Sequence, residues 1–213
     1  MKKNLYLGSI TTADFIRDPK RLAITLSRYK FVGKMFEDFE SILEIGAGDG
    51  FKSLSLKESF KKIVITDISK KQKLMFDKNY NFKNIKYKQH NFLSTSLKEK
   101  FDGAFALDVL EHISKKKEDI FIKNIKNSLK DSGSLIIGMP SIESQKYASK
   151  LAKKEHINCK SKSELKKFLK KHFNCVYMFS MNDETLHTGF DPMSHYIIGV
   201  ANSKKWIIKL LNF

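Results

Sequence analysis

Along the chain, short runs of branched apolar residues alternate with longer stretches where apolar residues return every third or fourth position. Asp18-Pro19 puts a proline at a tolerated first-turn position, and Leu22, Leu26, Tyr29, Val32 and Phe36 follow at helical spacing up to Asp38. Ser41 to Ile45 reads as a short buried strand, and Gly46 to Gly50 as a turn that opens a helix. Ile63 to Thr66 predicts a strand and Ser69 to about Tyr80 a helix. Asn84 to Gln89 and Gly103 to Leu107 predict two further strands. A helix over roughly Lys117 to Leu129 stops at Asp131-Ser132-Gly133, and Leu135 to Gly138 gives a fifth strand. Strands alternating with helices imply right-handed crossovers and a parallel sheet.

The last third changes character. Ser161 and Glu164 have capping-box spacing ahead of Leu165, Phe168 and Leu169, which share one helical face. Val176 to Ser180 and Tyr196 to Ala201 then succeed one another as strands with no helix between them. They imply a hairpin, so that one strand runs against the rest. Its connection, Met181 to His195, emerges at the carboxyl edge of the parallel strands, where open α/β sheets bind ligands.

Composition narrows the class. A chain of 213 residues, 41% of them hydrophobic, suits one globular domain over 1–213. Residues 1–40 are expected to form a helical N-terminal cap, and 141–195 to hold substrate-side insertions. No export signal or spanning segment is visible, and Cys159 and Cys175 match no metal or redox spacing. A cytoplasmic location is expected. The formal charge of +17 suggests nucleic acid on its own, yet only Arg17, Arg21 and Arg28 are arginines among 40 basic residues. Phosphate and guanine recognition favours the arginine fork. The lysines, spread along the whole chain, therefore read as solvated faces rather than a nucleic-acid footprint. The basic, amphipathic stretch Lys204 to Leu211 is a candidate for peripheral membrane contact, with packing on its own domain the blander expectation. Oligomeric state is not legible.

The chemistry gathers first at Glu44-Ile45-Gly46-Ala47-Gly48-Asp49-Gly50. A dinucleotide fingerprint needs a small residue at position 51, where Phe51 stands, and the third glycine comes one residue early. With the acid at Glu44, the segment instead resembles the E/D-x-G-x-G-x-G motif of class I S-adenosylmethionine-dependent methyltransferases. The resemblance covers roughly residues 40 to 140. It implies an α/β, Rossmann-like three-layer sandwich with a mostly parallel seven-stranded sheet and one antiparallel strand near the C-terminus. It also implies cofactor contacts from Glu44, Gly46, Ala47, Gly48 and Gly50, and a ribose grip by Asp67 at the end of the second strand. Ile68 follows that acid. Asn91-Phe92 stand where the family often has Gly-Asp against the adenine, a departure at this position. Asp108-Val109 match the fourth motif near the methionine part of S-adenosylmethionine, and Arg28 is a candidate for its carboxylate.

Asp108, Glu111 and His112 form D-x-x-E-H, and His156 precedes a later helix. This is similar to metal-dependent relatives, the ubiquinone-pathway O-methyltransferases and small-RNA 2′-O-methyltransferases, which carry Glu where Asp108 stands. It implies a divalent metal ion on Asp108, Glu111, His112 and His156, which would orient an acceptor and lower its pKa. D-V-L-E-H also occurs in relatives without metal. Candidate proton-accepting groups at the carboxyl edge are Glu111, His112, His156, His187, Asp191 and His195, of which Glu111, His112, His156 and His187 are the expected catalytic set. The segment from His156 to Tyr196 looks similar to small bacterial methyltransferases of surface-glycan biosynthesis, implying a small-molecule or glycan-precursor partner. The alternatives are an RNA methyltransferase and a catalytically silent S-adenosylmethionine-binding regulatory subunit.

Overall fold

The computed structural model describes residues 6–205, so the apolar part of the amphipathic tail, Trp206 to Leu211, lies outside the described residues. Helices α1 (Ser9–Arg17) and α2 (Lys20–Met35) lead into strands β1 (Ser41–Ile45) and β2 (Lys62–Asp67). Helix α3 (Lys70–Asn79), β3 (Ile85–Gln89), β4 (Phe101–Leu107), α4 (Glu118–Asn127) and β5 (Leu129–Pro140) follow. Then come α5 (Lys150–Glu155), α6 (Lys162–Leu169), β6 (Phe173–Asn182), β7 (Thr185–His187) and β8 (Tyr196–Lys204). The strands form one sheet in the order β3-β2-β1-β4-β5-β8-β6-β7. Strands β1 to β5 pair in parallel, and β8 inserts antiparallel between β5 and β6.

The fold is the expected α/β three-layer architecture, with eight strands rather than seven. The extra strand, β7, pairs antiparallel with the end of β6 through Thr185, Leu186 and His187, so the predicted loop is itself a small hairpin. The sheet divides the core by strand alternation. Leu43, Ala104 and Ile137 face α4 and α6, where they meet Ile122, Leu165 and Phe168. Ile42, Phe105 and Ile136 face α2 and α3, where they meet Val32, Phe36 and Phe76. Sheets covered on both sides need near-continuous apolar strands, which is why these runs are so legible. The expected insertion region is split: α6 and β6 belong to this core, whereas residues on either side of them reach the cavity.

Two local differences matter for the site. After the glycine turn the chain forms a 3₁₀ helix, Lys52–Leu56, in place of the expected α-helix. The predicted stop at Asp131-Ser132-Gly133 lies within the span of β5, at a register shift where Phe101 pairs with Leu129 and Gly103 with Ser134.

Helix α1 is held from a distance. Its N-cap, Gly8, has no side-chain acceptor, and Asp49 of the glycine turn supplies one. Thr11 donates its backbone N–H to Asp49 Oδ2 at 2.6 Å and its hydroxyl to Oδ1 at 2.9 Å. Asp49→Ala should cost the helix about 1–2 kcal/mol, as loss of a cap does. Amide exchange over residues 9–17 should then speed up roughly five- to thirtyfold, while exchange in β1 and β4 stays unchanged. Equal exchange in both proteins would show that α1 docks without this bond.

Candidate functional site

The carboxyl ends of β1, β2 and β4 open into a cavity of about 720 Å³ under α1 and α2. Gly46 and Ala47 donate their N–H groups to the carbonyl of Thr66, at 2.8 and 2.9 Å, folding the turn back over β2. Asp67 accepts from Gly48 N at 3.0 Å and Ser69 N at 2.9 Å, which fixes its carboxylate at the cavity wall. Gly46 has φ +78°, and a Cβ there would overlap Val109 Cγ2. Gly50 serves packing: a Cβ would sit 2.6 Å from Phe76 Cδ2, inside the core rather than the cavity.

Glu44 lies beneath this turn, fully buried. Tyr29 donates to its Oε1 at 2.5 Å and Ser53 to its Oε2 at 2.6 Å. Burial raises its pKa from 4.5 to about 7, against the pull of Ser53, Tyr29 and Lys52. Glu44 thus acts as a brace behind the glycine turn. Because its folded pKa is raised, the native state holds the proton more tightly than the unfolded chain. Its contribution is fully present below about pH 4.5 and is lost as pH rises toward 7, by about 3 kcal/mol at most. Urea unfolding between pH 5 and 8 should show Glu44→Gln flattening this decline. Parallel stability profiles for the two proteins would refute the assignment.

Across the cavity, Arg28 Nη1 donates to Asp108 at 3.0 and 3.3 Å, and its guanidinium carbon lies 3.6 Å over the Tyr196 ring. Asp108 itself takes φ +58° and hangs its N–H on Gly138 O at 2.9 Å. Arg28 Nε is buried without an acceptor among the described residues.

The third group is Glu111, His112 and His156, each offering a ligand atom within 4.8 Å of the others. Asn158 joins the two distant segments, since its N–H donates to Glu111 O at 2.9 Å and its side-chain amide to Glu118 at 2.8 Å. Lys160 closes a buried ion pair with the same Glu118 at 2.7 Å. Glu111 is fully buried and both carboxylate oxygens lack partners among the described residues. Burial and then the charge of Asp108 hold its pKa well above the carboxylate range. His112 Nδ1 lies 3.1 Å from Glu155 O, and His156 Nδ1 lies 3.0 Å from Gln145 Oε1. The Gln145 amide nitrogen is directed to Ser141 O and Ser144 Oγ, so its oxygen faces His156. Both partners are carbonyl oxygens, so in the neutral ring each Nδ1 carries the proton and each Nε2 keeps a lone pair. Burial, then the neighbouring His112, lowers the His156 pKa. Two imidazole lone pairs beside an unpaired buried carboxylate suit a divalent cation.

The structure gathers most of the expected residues. Arg28, Gly46, Ala47, Gly48, Asp67, Asp108, Glu111, His112 and His156 all line the cavity. Glu44 and Val109 support it from behind. Asp108 departs from its expected role as a fourth metal ligand: it is engaged by Arg28 and stands outside the three-residue cluster. Ile68 is exposed beside Asp67 and does not line the cavity. Asn91 is an exposed turn residue whose Oδ1 accepts from Leu93 N, and Phe92 packs in the core. His187 sits on the edge strand β7, outside the cavity, where its Nδ1 accepts from Gly189 N at 3.2 Å. Sequence reasoning missed Arg17 and Arg21, both cavity-lining. The signal was there: they are two of the only three arginines in a lysine-rich chain.

Comparison with known proteins places the chain in a family. Residues 17–177 match the model of a methyltransferase domain family. An uncharacterized methyltransferase of Staphylococcus carnosus (strain TM300) is 29% identical over 112 residues, 53% of each chain, so this chain spans about half the length of that relative. Among solved structures, the methyltransferase domain of the bacterial protein CtHen1 superposes with a TM-score of 0.69 at 17% identity, covering 84% of this chain and 98% of that one. The N-methyltransferase NodS of Bradyrhizobium japonicum WM9, bound to S-adenosyl-L-homocysteine, gives 0.59 at 15% identity, covering 89% and 87%. The chain therefore belongs to the methyltransferase domain family, with the Rossmann-like fold and S-adenosylmethionine donor of the class I enzymes. No helix among the described residues is long and apolar enough to cross a membrane.

Proposed function

We propose that the chain transfers the methyl group of S-adenosylmethionine to a hydroxyl of a polar small molecule, a sugar or sugar phosphate of the kind used in surface-glycan biosynthesis. The observation that carries the hydroxyl is the Glu111, His112 and His156 cluster. A hydroxyl must shed its proton as it attacks, and a positioned base or cation provides for this. The glycan assignment rests on the similarity of the His156 to Tyr196 segment to glycan-pathway enzymes.

When bound, S-adenosylmethionine supplies an electrophilic methyl that a nucleophile displaces in line. The turn at Gly46 to Gly48 and the Asp67 carboxylate, fixed by Gly48 N and Ser69 N, would hold the nucleoside, the latter through charge-assisted bonds to ribose hydroxyls. Arg28 Nε, buried with no acceptor, suits the carboxylate of the methionine part. A divalent ion on Glu111, His112 and His156 would add acidity to the acceptor hydroxyl. His112 and His156 line the same cavity as residues of α1 and α2, which border the place an acceptor would take.

The test is to incubate the protein with methyl-labelled S-adenosylmethionine and an extract of its own organism, then fractionate. Label in small molecules and glycans is expected. The RNA reading draws on the +17 charge. Label confined to RNA would replace the proposal with that reading. Tight cofactor binding with no label anywhere would make the chain a silent regulatory subunit.

A further inference from the structure

The three arginines divide into one half-buried residue and two that face solvent. Arg28 is engaged by Asp108 and Tyr196 on the cofactor side. Arg17 ends α1 and Arg21 opens α2, four positions apart across the Asp18-Pro19 junction. Neither guanidinium donates a hydrogen bond among the described residues. Arg21 has one ionic neighbour, Asp14 at 4.0 Å, and these side chains are 54% and 40% exposed. An exposed pair at that distance contributes little, so both forks keep their donors.

Arg17 and Arg21 line the main cavity and also a second, adjoining one of about 490 Å³. His156 and His195 line both cavities as well, and Ser144 and Gln145 line the second. None of residues 46–49 and no part of Asp67 reaches the second cavity. An anion seated there belongs to the acceptor rather than to the donor. The one carboxylate in it, Asp18, already accepts from Lys20 N at 3.2 Å.

From this placement we infer that the acceptor is an anion, and that Arg17 and Arg21 hold its phosphate or carboxylate in the second cavity while its hydroxyl reaches His156. Apart from Arg28, every other basic side chain of the Lys and Arg set is lysine, and the planar fork at Arg17 and Arg21 suits two parallel bonds to one oxyanion. The inference deepens the proposed reading and rests on it.

The labelled product of the wild-type reaction should bind an anion-exchange resin at pH 8. Phosphatase treatment separates the two sources, since a phosphate ester moves to the flow-through and a carboxylate stays bound. Arg17→Gln and Arg21→Gln should each raise the acceptor KM about tenfold, equivalent to about 1.4 kcal/mol. Both should leave kcat within threefold and the S-adenosylmethionine Kd unchanged. The Lys variants should recover only part of the loss, because they keep charge but not the fork. A neutral product, or a double Gln variant with wild-type KM, overturns the inference and leaves the methyltransferase reading intact. If no small-molecule acceptor is found, that reading fails instead. The subsite is then tested alone by calorimetric titration of pyrophosphate into protein saturated with S-adenosylhomocysteine. Binding by wild type and its loss in the double variant would support the subsite, and equal or absent binding in both would refute it.

Discussion

Gly46→Ala is expected to abolish measurable S-adenosylmethionine binding while the rest of the sheet stays folded. The residue sits at φ +78°, where an L side chain costs roughly 1–2 kcal/mol. The new methyl would also overlap Val109 Cγ2, adding strain of about 1–3 kcal/mol if the neighbour cannot yield. Relief by moving the turn is blocked. Gly46 N and Ala47 N are bonded to Thr66 O, Gly48 N to Asp67, and Glu44 braces the strand beneath. Any shift therefore carries the nucleoside-binding groups with it. Val109→Ala removes the overlapping methyl but leaves the positive φ, so the double variant should regain part of the affinity. Equilibrium dialysis with labelled S-adenosylmethionine gives the cycle, with calorimetric unfolding as the check on folding. Wild-type affinity in Gly46→Ala would mean the turn is not the donor's seat.

The sequence made the sheet's interior legible because β1, β2, β4 and the Leu135 to Gly138 part of β5 are buried and near-continuously apolar, whereas the edge strand β3 alternates. It could not show β7, whose Thr-Leu-His is too short for any period and exists through pairing with Ser180 to Asn182. Helix α1 was illegible as an element for a different reason. Among its residues only Thr11 is buried, and its cap comes from Asp49, 38 positions away. Long-range capping leaves no local signal.

The site divides along the same line. Glu44, the glycines and Asp67 could be read from a contiguous motif, since a turn and a strand end define them locally. His156 was found because it resembled a known spacing, but the Asn158 and Lys160 bonds that bring it to Glu111 are tertiary. Asn91, Phe92 and His187 were assigned by position in a pattern, and none of them lines the cavity. Asn91 closes its own turn, Phe92 packs against α4, and His187 lies on an edge strand. Asp108 is the subtler case. It reaches the cavity as expected, but Arg28 takes up its charge.

Removing divalent metal should reduce methyl transfer about a hundredfold or more, without changing S-adenosylmethionine affinity. The fit is chemical. A fully buried carboxylate with both oxygens unpaired is costly unless a proton or a cation answers it. The two neighbouring imidazoles have their Nδ1 protons committed to carbonyl oxygens, which leaves Nε2 as the ligand atom of each ring. Two imidazoles and one carboxylate favour Mn²⁺, Co²⁺ or Zn²⁺ over Mg²⁺. After dialysis against chelator, added Mn²⁺ should restore activity, and electron paramagnetic resonance should count one ion per chain. Glu111→Gln and His156→Ala should lose that ion. Gln145→Leu should weaken it about ten- to a hundredfold, because the partner that fixes the His156 tautomer is gone. Asp108→Asn should leave the ion count unchanged, since Asp108 answers to Arg28 rather than to the cluster. Full activity in chelator, with no ion bound by wild type, would leave His112 and His156 as proton acceptors and Glu111 as a buried neutral acid.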